Sequence, residues 1–97
     1  MAVIEITRFR LAEGSTDEEL LNAEAAAQAR FYYRQPGLLR RTTARGAGRG
    51  WVDLVLWASA DHAAAGERAA ASSPLVAALT DLIDPGSLTR ERFETVD

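Results

Sequence analysis

From Trp51 to His62 the chain reads "WVDLVLWASADH". Side chains alternate across an extended strand, so Trp51, Asp53, Val55 and Trp57 fall on one face and Val52, Leu54 and Leu56 on the other. Both faces are apolar, which is the pattern of a strand that is covered front and back. Ser59 then supplies a side-chain acceptor for the first free amides of a helix, so the strand passes directly into a helical segment.

Outward from this stretch the remaining elements follow. Ala2 to Leu11 is rich in β-branched and apolar residues and reads as a first strand, with Val3, Glu5, Thr7, Phe9 and Leu11 sharing one face. "EGSTDEEL" places Gly14 at a turn, offers Ser15 or Thr16 as N-cap, and puts Glu18 or Glu19 three residues on as the reciprocal partner. The helix that follows carries Leu20, Ala27 and Phe31 on one stripe, with Leu21, Ala25 and Tyr32 beside it, and is expected to end at "RQPG", where Pro36 cannot continue it. "LLRRTTAR" reads as a second strand, "GAGRG" as a hairpin tip, and Trp51 to Ala58 as the third strand, antiparallel to the second. An Ala-rich helix from Ser59 to Ala71 is interrupted by "SSP", where Ser73 caps a new segment and Pro74 takes its first position. Leu75, Val76, Leu79, Leu82 and Ile83 then recur at helical spacing, "DPG" stops the run, and Leu88 to Val96 alternates as a last strand.

The order βαββαβ predicts one α+β domain over residues 1–97: a ferredoxin-like antiparallel sheet with its helices on one face. Two helices cover one face only, and the apolar face left over exceeds what monomers commonly leave in water. A second copy, sheet against sheet, is the expected cover, giving a symmetric homodimer.

Composition excludes several classes of function. The chain has no cysteine, which removes disulfides, thiolate metal sites and cysteine nucleophiles. All 11 basic residues are arginine, which removes Schiff-base and lysine-base chemistry. A net charge of -3 argues against nucleic acid or an anionic membrane as partner. "MAVIEITRFR" lacks the layout of a signal peptide and no apolar run approaches the ~20 residues of a membrane span, so a cytoplasmic protein is expected. "RGAGRG" joins two strands instead of leading into a helix N-terminus, so it is not a phosphate cradle.

Along nearly its whole length the chain resembles the antibiotic biosynthesis monooxygenases, a group of dimeric α+β barrels. The resemblance rests on "RLAEG", "QPGLL", "VLWAS" and "SSPLVAAL", taken in that order and spacing. It implies a pocket between sheet and helices for a small aromatic or polyketide-like molecule, and oxygenation without a cofactor or metal. In the polyketide-oxidising branch a strand-ending Trp and an Asn four residues before it face that pocket. Trp57 matches the Trp, whereas Asp53 stands at the Asn position, and the branch's Tyr and Arg of the second helix fall near Ala63 and Val76. The residues of the haem-degrading branch have no counterparts near Thr7, Gly66 to Ala70, or Leu79 and Thr80. That route is not expected here.

Asp53 and Trp57 are the candidate catalytic residues, with Thr7, Phe9, Tyr32, Glu5 and His62 as candidate substrate contacts. Two roles are open to Asp53: a general base whose affinity for its proton is raised by burial, or an ion-pair partner of Arg41 or Arg45. Trp57 is either a cavity wall or plain core, and its indole N–H requires a partner if buried. Glu5 beside Asp53 would make a paired carboxylate, in which close like charges force one group to keep its proton. His62, the only histidine, sits in the first turn of a helix, as an exposed or dimer-contact residue or as a ligand. The competing functional class is a non-catalytic dimeric binding module whose pocket is filled by side chains; an isomerase or decarboxylase is a third. A cavity near Trp57 of ~300 Å³ or more separates the ligand-binding readings from the filled pocket.

Overall fold

The computed structural model describes residues 1–97. Strand β3 (Gly50–Trp57) lies inside a four-stranded antiparallel sheet, between β1 (Val3–Arg10) and β2 (Leu38–Arg45). β4 (Thr89–Glu94) completes the edge beyond β1, giving the order β2-β3-β1-β4. Helices α1 (Asp17–Arg30), α2 (Ala60–Ala70) and α3 (Pro74–Thr80) all lie over the face that carries Phe9, Trp51 and Trp57. The ferredoxin-like βαββαβ order is therefore present, with its second helix broken into α2 and α3.

Local chemistry sets the helix boundaries. Thr16 caps α1, accepting from the Glu19 amide at 3.1 Å while the Glu19 carboxylate accepts from the Thr16 amide at 3.0 Å. This reciprocal pair satisfies two free donors of the first turn. Ser59 caps α2 and Ser73 caps α3, with Pro74 in the first position of α3. α1 stops at Arg30, short of the expected "RQPG" end. A 3-10 turn, Tyr32–Arg34, takes its place. The residue before a proline is pushed toward extended backbone, as Gln35 is at φ -80, ψ 133, so the chain must leave the helix before Pro36.

Gly37 follows at φ +79, where a side chain is strained, and an added Cβ would lie 2.2 Å from the His62 ring. The turn into β2 and the start of α2 are thereby locked together.

Register explains why the core is divided. At one end of the sheet Phe9 pairs with Trp51, and these two pack with Leu20, Ala27, Leu79 and Ile83 from the helical layer and its loops. At the other end Val3 pairs with Trp57 against Ala63 of α2. Between these apolar ends, two rows of paired residues cross all four strands: Thr43, Asp53, Thr7 and Arg90, then Arg41, Val55, Glu5 and Arg92. Seven of those eight residues are polar or charged. Helices cannot bury such a band by apolar packing alone, and the space they leave over it becomes a cavity.

On the opposite face, Ile4, Ile6, Val52, Leu54 and Leu56 lie only partly buried and Phe93 is 47% exposed. Nothing in the chain itself covers them. No helix is long and apolar enough to cross a membrane.

Candidate functional site

Above the polar band, between the sheet, α2, α3 and the segment leading to β4, is a cavity of about 830 Å³, partly open to solvent. Glu5, Thr7, Tyr32, Asp53 and Trp57, five of the seven candidates from the sequence, are on its wall. The other two are elsewhere. Phe9 is 3% exposed within the Leu20–Trp51 cluster, one register row beyond the polar band, and is core. His62 packs on Gly37, and its Nδ1 lies 2.8 Å from the Ser59 hydroxyl that also accepts its backbone amide. It serves the helix start.

Trp57 is both wall and core: it borders the cavity yet is only 2% exposed. Its ring lies under Gly66 of α2, where an added Cβ would sit 2.2 Å from Cη2. Its indole N–H donates to Glu5 Oε1 at 2.7 Å, which is the partner a buried indole requires.

The expected pairing of Glu5 with Asp53 does not occur. Glu5 instead neighbours Glu67 of α2, and both carboxylates accept from Arg92 Nη2 at 2.7 Å. Half-burial would raise the Glu5 carboxyl, but hydrogen bonds with Arg92, Glu67 and the Trp57 indole hold it below the ordinary glutamate value. Glu67 is raised in turn, chiefly by its hydrogen bond with Glu5.

Asp53 is paired with Glu24, a residue absent from the candidates that the sequence suggests. Arg41, 3% exposed, donates from Nη1 to Glu24 Oε2 at 2.5 Å and from Nη2 to Asp53 Oδ2 at 2.9 Å. Of the two arginines open to Asp53, Arg41 is the partner; Arg45 pairs with Asp17 and stacks on Trp51 instead. Thr43 Oγ1 lies 2.7 Å from Asp53 Oδ1 and 2.8 Å from Glu24 Oε2, bridging the two carboxyls. Tyr32 completes the group, with the Arg41 guanidinium 4.3 Å above its ring. Burial pushes the Tyr32 phenol above its ordinary value.

Burial also pushes the Asp53 carboxyl up, to about 7. The Arg41 charge opposes that shift, and the nearby Glu24 charge reinforces it. One cation facing two buried carboxylates leaves a surplus negative charge in a poorly solvated place, and a proton removes it.

Glu24 is recoverable from the sequence. It lies four residues after Leu20 and three before Ala27, in the middle of the stripe that faces the sheet, and is 5% exposed. Leu21 and Ala25, expected beside that stripe, are exposed. A glutamate on the buried face of a helix requires a cation opposite, and Arg41 in the middle of β2 is the available one.

No family model matches the chain. No curated protein matches it either. Solved structures do. One is SnoaB, a cofactor-independent oxygenase from Streptomyces nogalater, in a variant form: TM-score 0.81, 22% identity, 99% of this chain and 94% of that one covered. A candidate antibiotic biosynthesis monooxygenase from Bordetella bronchiseptica superposes at TM-score 0.80 with 14% identity over 98% of this chain and 97% of that one. Another, from Chloroflexus aurantiacus J-10-fl, gives 0.73 with 18% identity, over 100% and 95%. This chain thus has the α+β fold of the antibiotic biosynthesis monooxygenases, as its motifs imply. At these identities the likeness is one of fold, and the chemistry rests on the cavity.

Proposed function

We propose that this protein binds a small aromatic or polyketide-like molecule in the cavity over the polar band and oxygenates it without a cofactor. The observation that carries this reading is Asp53: a buried carboxyl, raised to about 7, on the wall of an 830 Å³ cavity. That volume falls within the ~300–1,000 Å³ of small-molecule sites, and a group poised near neutral pH is suited to general acid–base work.

In the proposed reaction ionised Asp53 takes a proton from a phenol or from the carbon acid that is its tautomer. The resulting anion passes one electron to O₂, and superoxide and the carbon radical combine into a peroxide. Cleavage of the O–O bond releases water and leaves a carbonyl, so a CH₂ group and O₂ become C=O and H₂O with all electrons supplied by substrate and oxygen. Thr7 and Tyr32 are polar contacts and Trp57 is the wall. Arg90, next to Thr7 in the same cross-strand row and without an ion-pair partner, faces the developing anion.

The fold shared with a cofactor-independent oxygenase supports this reading. Oxygen uptake with an anthrone-type substrate tests it: Asp53→Ala should lose most of the uptake, and an unchanged rate removes Asp53 from the mechanism.

Non-catalytic binding is the second reading. It is favoured by the apolar residues Ala63 and Val76, near which the Tyr and Arg positions of the polyketide-oxidising branch fall; Ala63 is fully buried under Trp57. The open cavity of about 830 Å³ weighs against the form of this reading in which side chains fill the pocket. Ligand binding without oxygen uptake would establish what remains of it.

The working unit is proposed to be a cytoplasmic homodimer closed over Ile4, Ile6, Leu54, Leu56 and Phe93, the apolar face that the helices do not reach. Sedimentation showing a well-folded monomer at micromolar concentration would refute the dimer.

A further inference from the structure

We propose that Glu24 and Asp53 hold a single proton between them across the Thr43 hydroxyl, making Glu24 a positioning residue for any proton transfer at Asp53. Neither Glu24 nor Thr43 lines the cavity, so the pair has one seat facing the ligand and one behind it.

The geometry of the hydroxyl favours the shared proton over a single hydrogen divided between two buried anions. Thr43 Oγ1 is within hydrogen-bond distance of both carboxyls, 2.7 Å from Asp53 and 2.8 Å from Glu24. A hydroxyl carries one hydrogen, so it donates to one carboxylate only. The second contact is a hydrogen bond only when the other carboxyl is protonated and donates to the threonine oxygen. With both carboxylates ionised, a lone pair of Thr43 would face a lone pair of a buried anion. Arg41 spans the same two carboxyls from the other side and supplies one positive charge. One proton therefore makes the group neutral and turns both Thr43 contacts into hydrogen bonds, while Glu24 Oε1 and Arg41 Nε stay without partners.

Two arrangements meet this condition. In the first, Asp53 Oδ1–H donates to Thr43 and Thr43 donates to Glu24 Oε2. In the second, Asp53 has passed its proton to Thr43 Oγ1 as the threonine hydrogen moved to Glu24, and both bonds reverse direction. No charge leaves the group, and Asp53 changes from acid to base. Both seats lie in the same buried environment, so the exchange separates no charge into apolar surroundings. Other charged or titratable groups on the cavity wall are Glu5 on β1, Glu67 on α2, Arg90 on β4, Tyr32, and Asp81 just after α3; none of these is hydrogen-bonded to Thr43.

If the oxygenase reading holds, on which this role in turnover rests, the seat on Glu24 leaves Asp53 ionised and ready to accept the substrate proton. The group then gains a positive charge opposite the substrate anion.

The test is a pH titration of the ligand-free protein by NMR, with the carboxyl carbons of Asp and Glu labelled. The Glu24 carbon should move at the same upper midpoint as that of Asp53. A Glu24 carbon silent at that midpoint overturns the proposal, and this result needs no variant.

Thr43→Val is a second, independent test, read through the sign of its effect. Loss of the bridge should lower the upper midpoint by about one pH unit, a tenfold weaker hold on the shared proton, of the size expected for one charge-assisted hydrogen bond. Thr43→Ser should restore it. A hydroxyl that merely donates to an ionised Asp53 would have the opposite effect, and a rise in the midpoint, or no change, refutes the shared proton. Because no substrate is present, a shared midpoint in a protein without oxygen uptake would leave the proton pair standing and remove the oxygenase reading alone.

Discussion

Replacing Asp53 by asparagine is expected to stabilise the protein, and to do so more strongly as the pH rises. The perturbation keeps the shape of the residue and the hydrogen bonds of its protonated form. The amide oxygen can accept from Arg41 in place of Oδ2, and the amide N–H can donate to Thr43, as the protonated carboxyl does. Only the ability to ionise is lost. Asparagine is also the residue type that the polyketide-oxidising branch places at this strand position.

The magnitude follows from linkage. Asp53 is raised on folding from 3.8 to about 7. A carboxyl raised in this way contributes stability that is fully present below pH 3.8 and is lost as the pH climbs through about 7, because the unfolded chain releases the proton first. The span of about three pH units, at ~1.4 kcal/mol each, amounts to about 4 kcal/mol. The Asp53→Asn variant carries no such dependence. The difference in stability, variant minus wild type, should therefore grow by about 4 kcal/mol between about pH 4 and pH 8, or by roughly 16–30 °C in Tm for a domain of this size. Paired urea or thermal melts across that range measure it, and contributions from the other carboxylates cancel in the difference. A difference that stays flat with pH would mean that Asp53 is ionised throughout as an ordinary ion-pair partner of Arg41. The base role and the shared proton would fall together.

Three further outcomes are expected. Arg41→Met should destabilise the fold at neutral pH by about 3–5 kcal/mol, because two carboxyls lose their only buried cation, and the loss should shrink in acid as they take up protons. An effect independent of pH in denaturant melts would contradict this. Gly66→Ala gains ~1 kcal/mol of helix propensity but drives a methyl into the Trp57 ring, so a net loss of about 1–2 kcal/mol is expected, with a shift in Trp fluorescence. An unshifted spectrum with raised Tm would show that α2 is not held against Trp57. Thr16→Ala removes one half of the reciprocal cap on α1 and should lower stability by ~1 kcal/mol while leaving ligand binding unchanged; a loss of binding would tie the α1 start to the site.

The fold is legible in the sequence because each element carries its own punctuation. Thr16, Ser59 and Ser73 cap helices, Pro36 and Gly37 end the first helical segment, and the alternation in Trp51–Trp57 marks a covered strand. These are local signals, and local chemistry sets them. The end of α1 falls earlier than "RQPG" because the influence of Pro36 reaches back through Gln35 into a 3-10 turn. Leu21 and Ala25 lie off the buried stripe for a related reason: helical spacing puts Glu24 between Leu20 and Ala27, and spacing outweighs the apolar character of their side chains. The site is only half legible. Glu5, Thr7, Asp53 and Trp57 can be placed on one face by period-two alternation within a strand, but which of them meet depends on register between strands. Register brings Thr43, Asp53, Thr7 and Arg90 into one row, and no single segment contains that information.

That row also accounts for the cavity. An apolar strand pair at this position would have allowed α2 and α3 to close onto the sheet, as they do at the Phe9–Trp51 and Val3–Trp57 ends. Polar side chains in the middle keep the helical layer from closing, and the buried group among them, Arg41 with Glu24 and Asp53, is expected to lower stability at neutral pH compared with the Asp53→Asn variant. A chain of 97 residues has little stability to spare, so retaining an ionisable group where asparagine would be more stable needs a reason beyond folding. The proton transfer proposed for Asp53 would supply one. A flat pH dependence in Asp53→Asn would remove both the penalty and the reason.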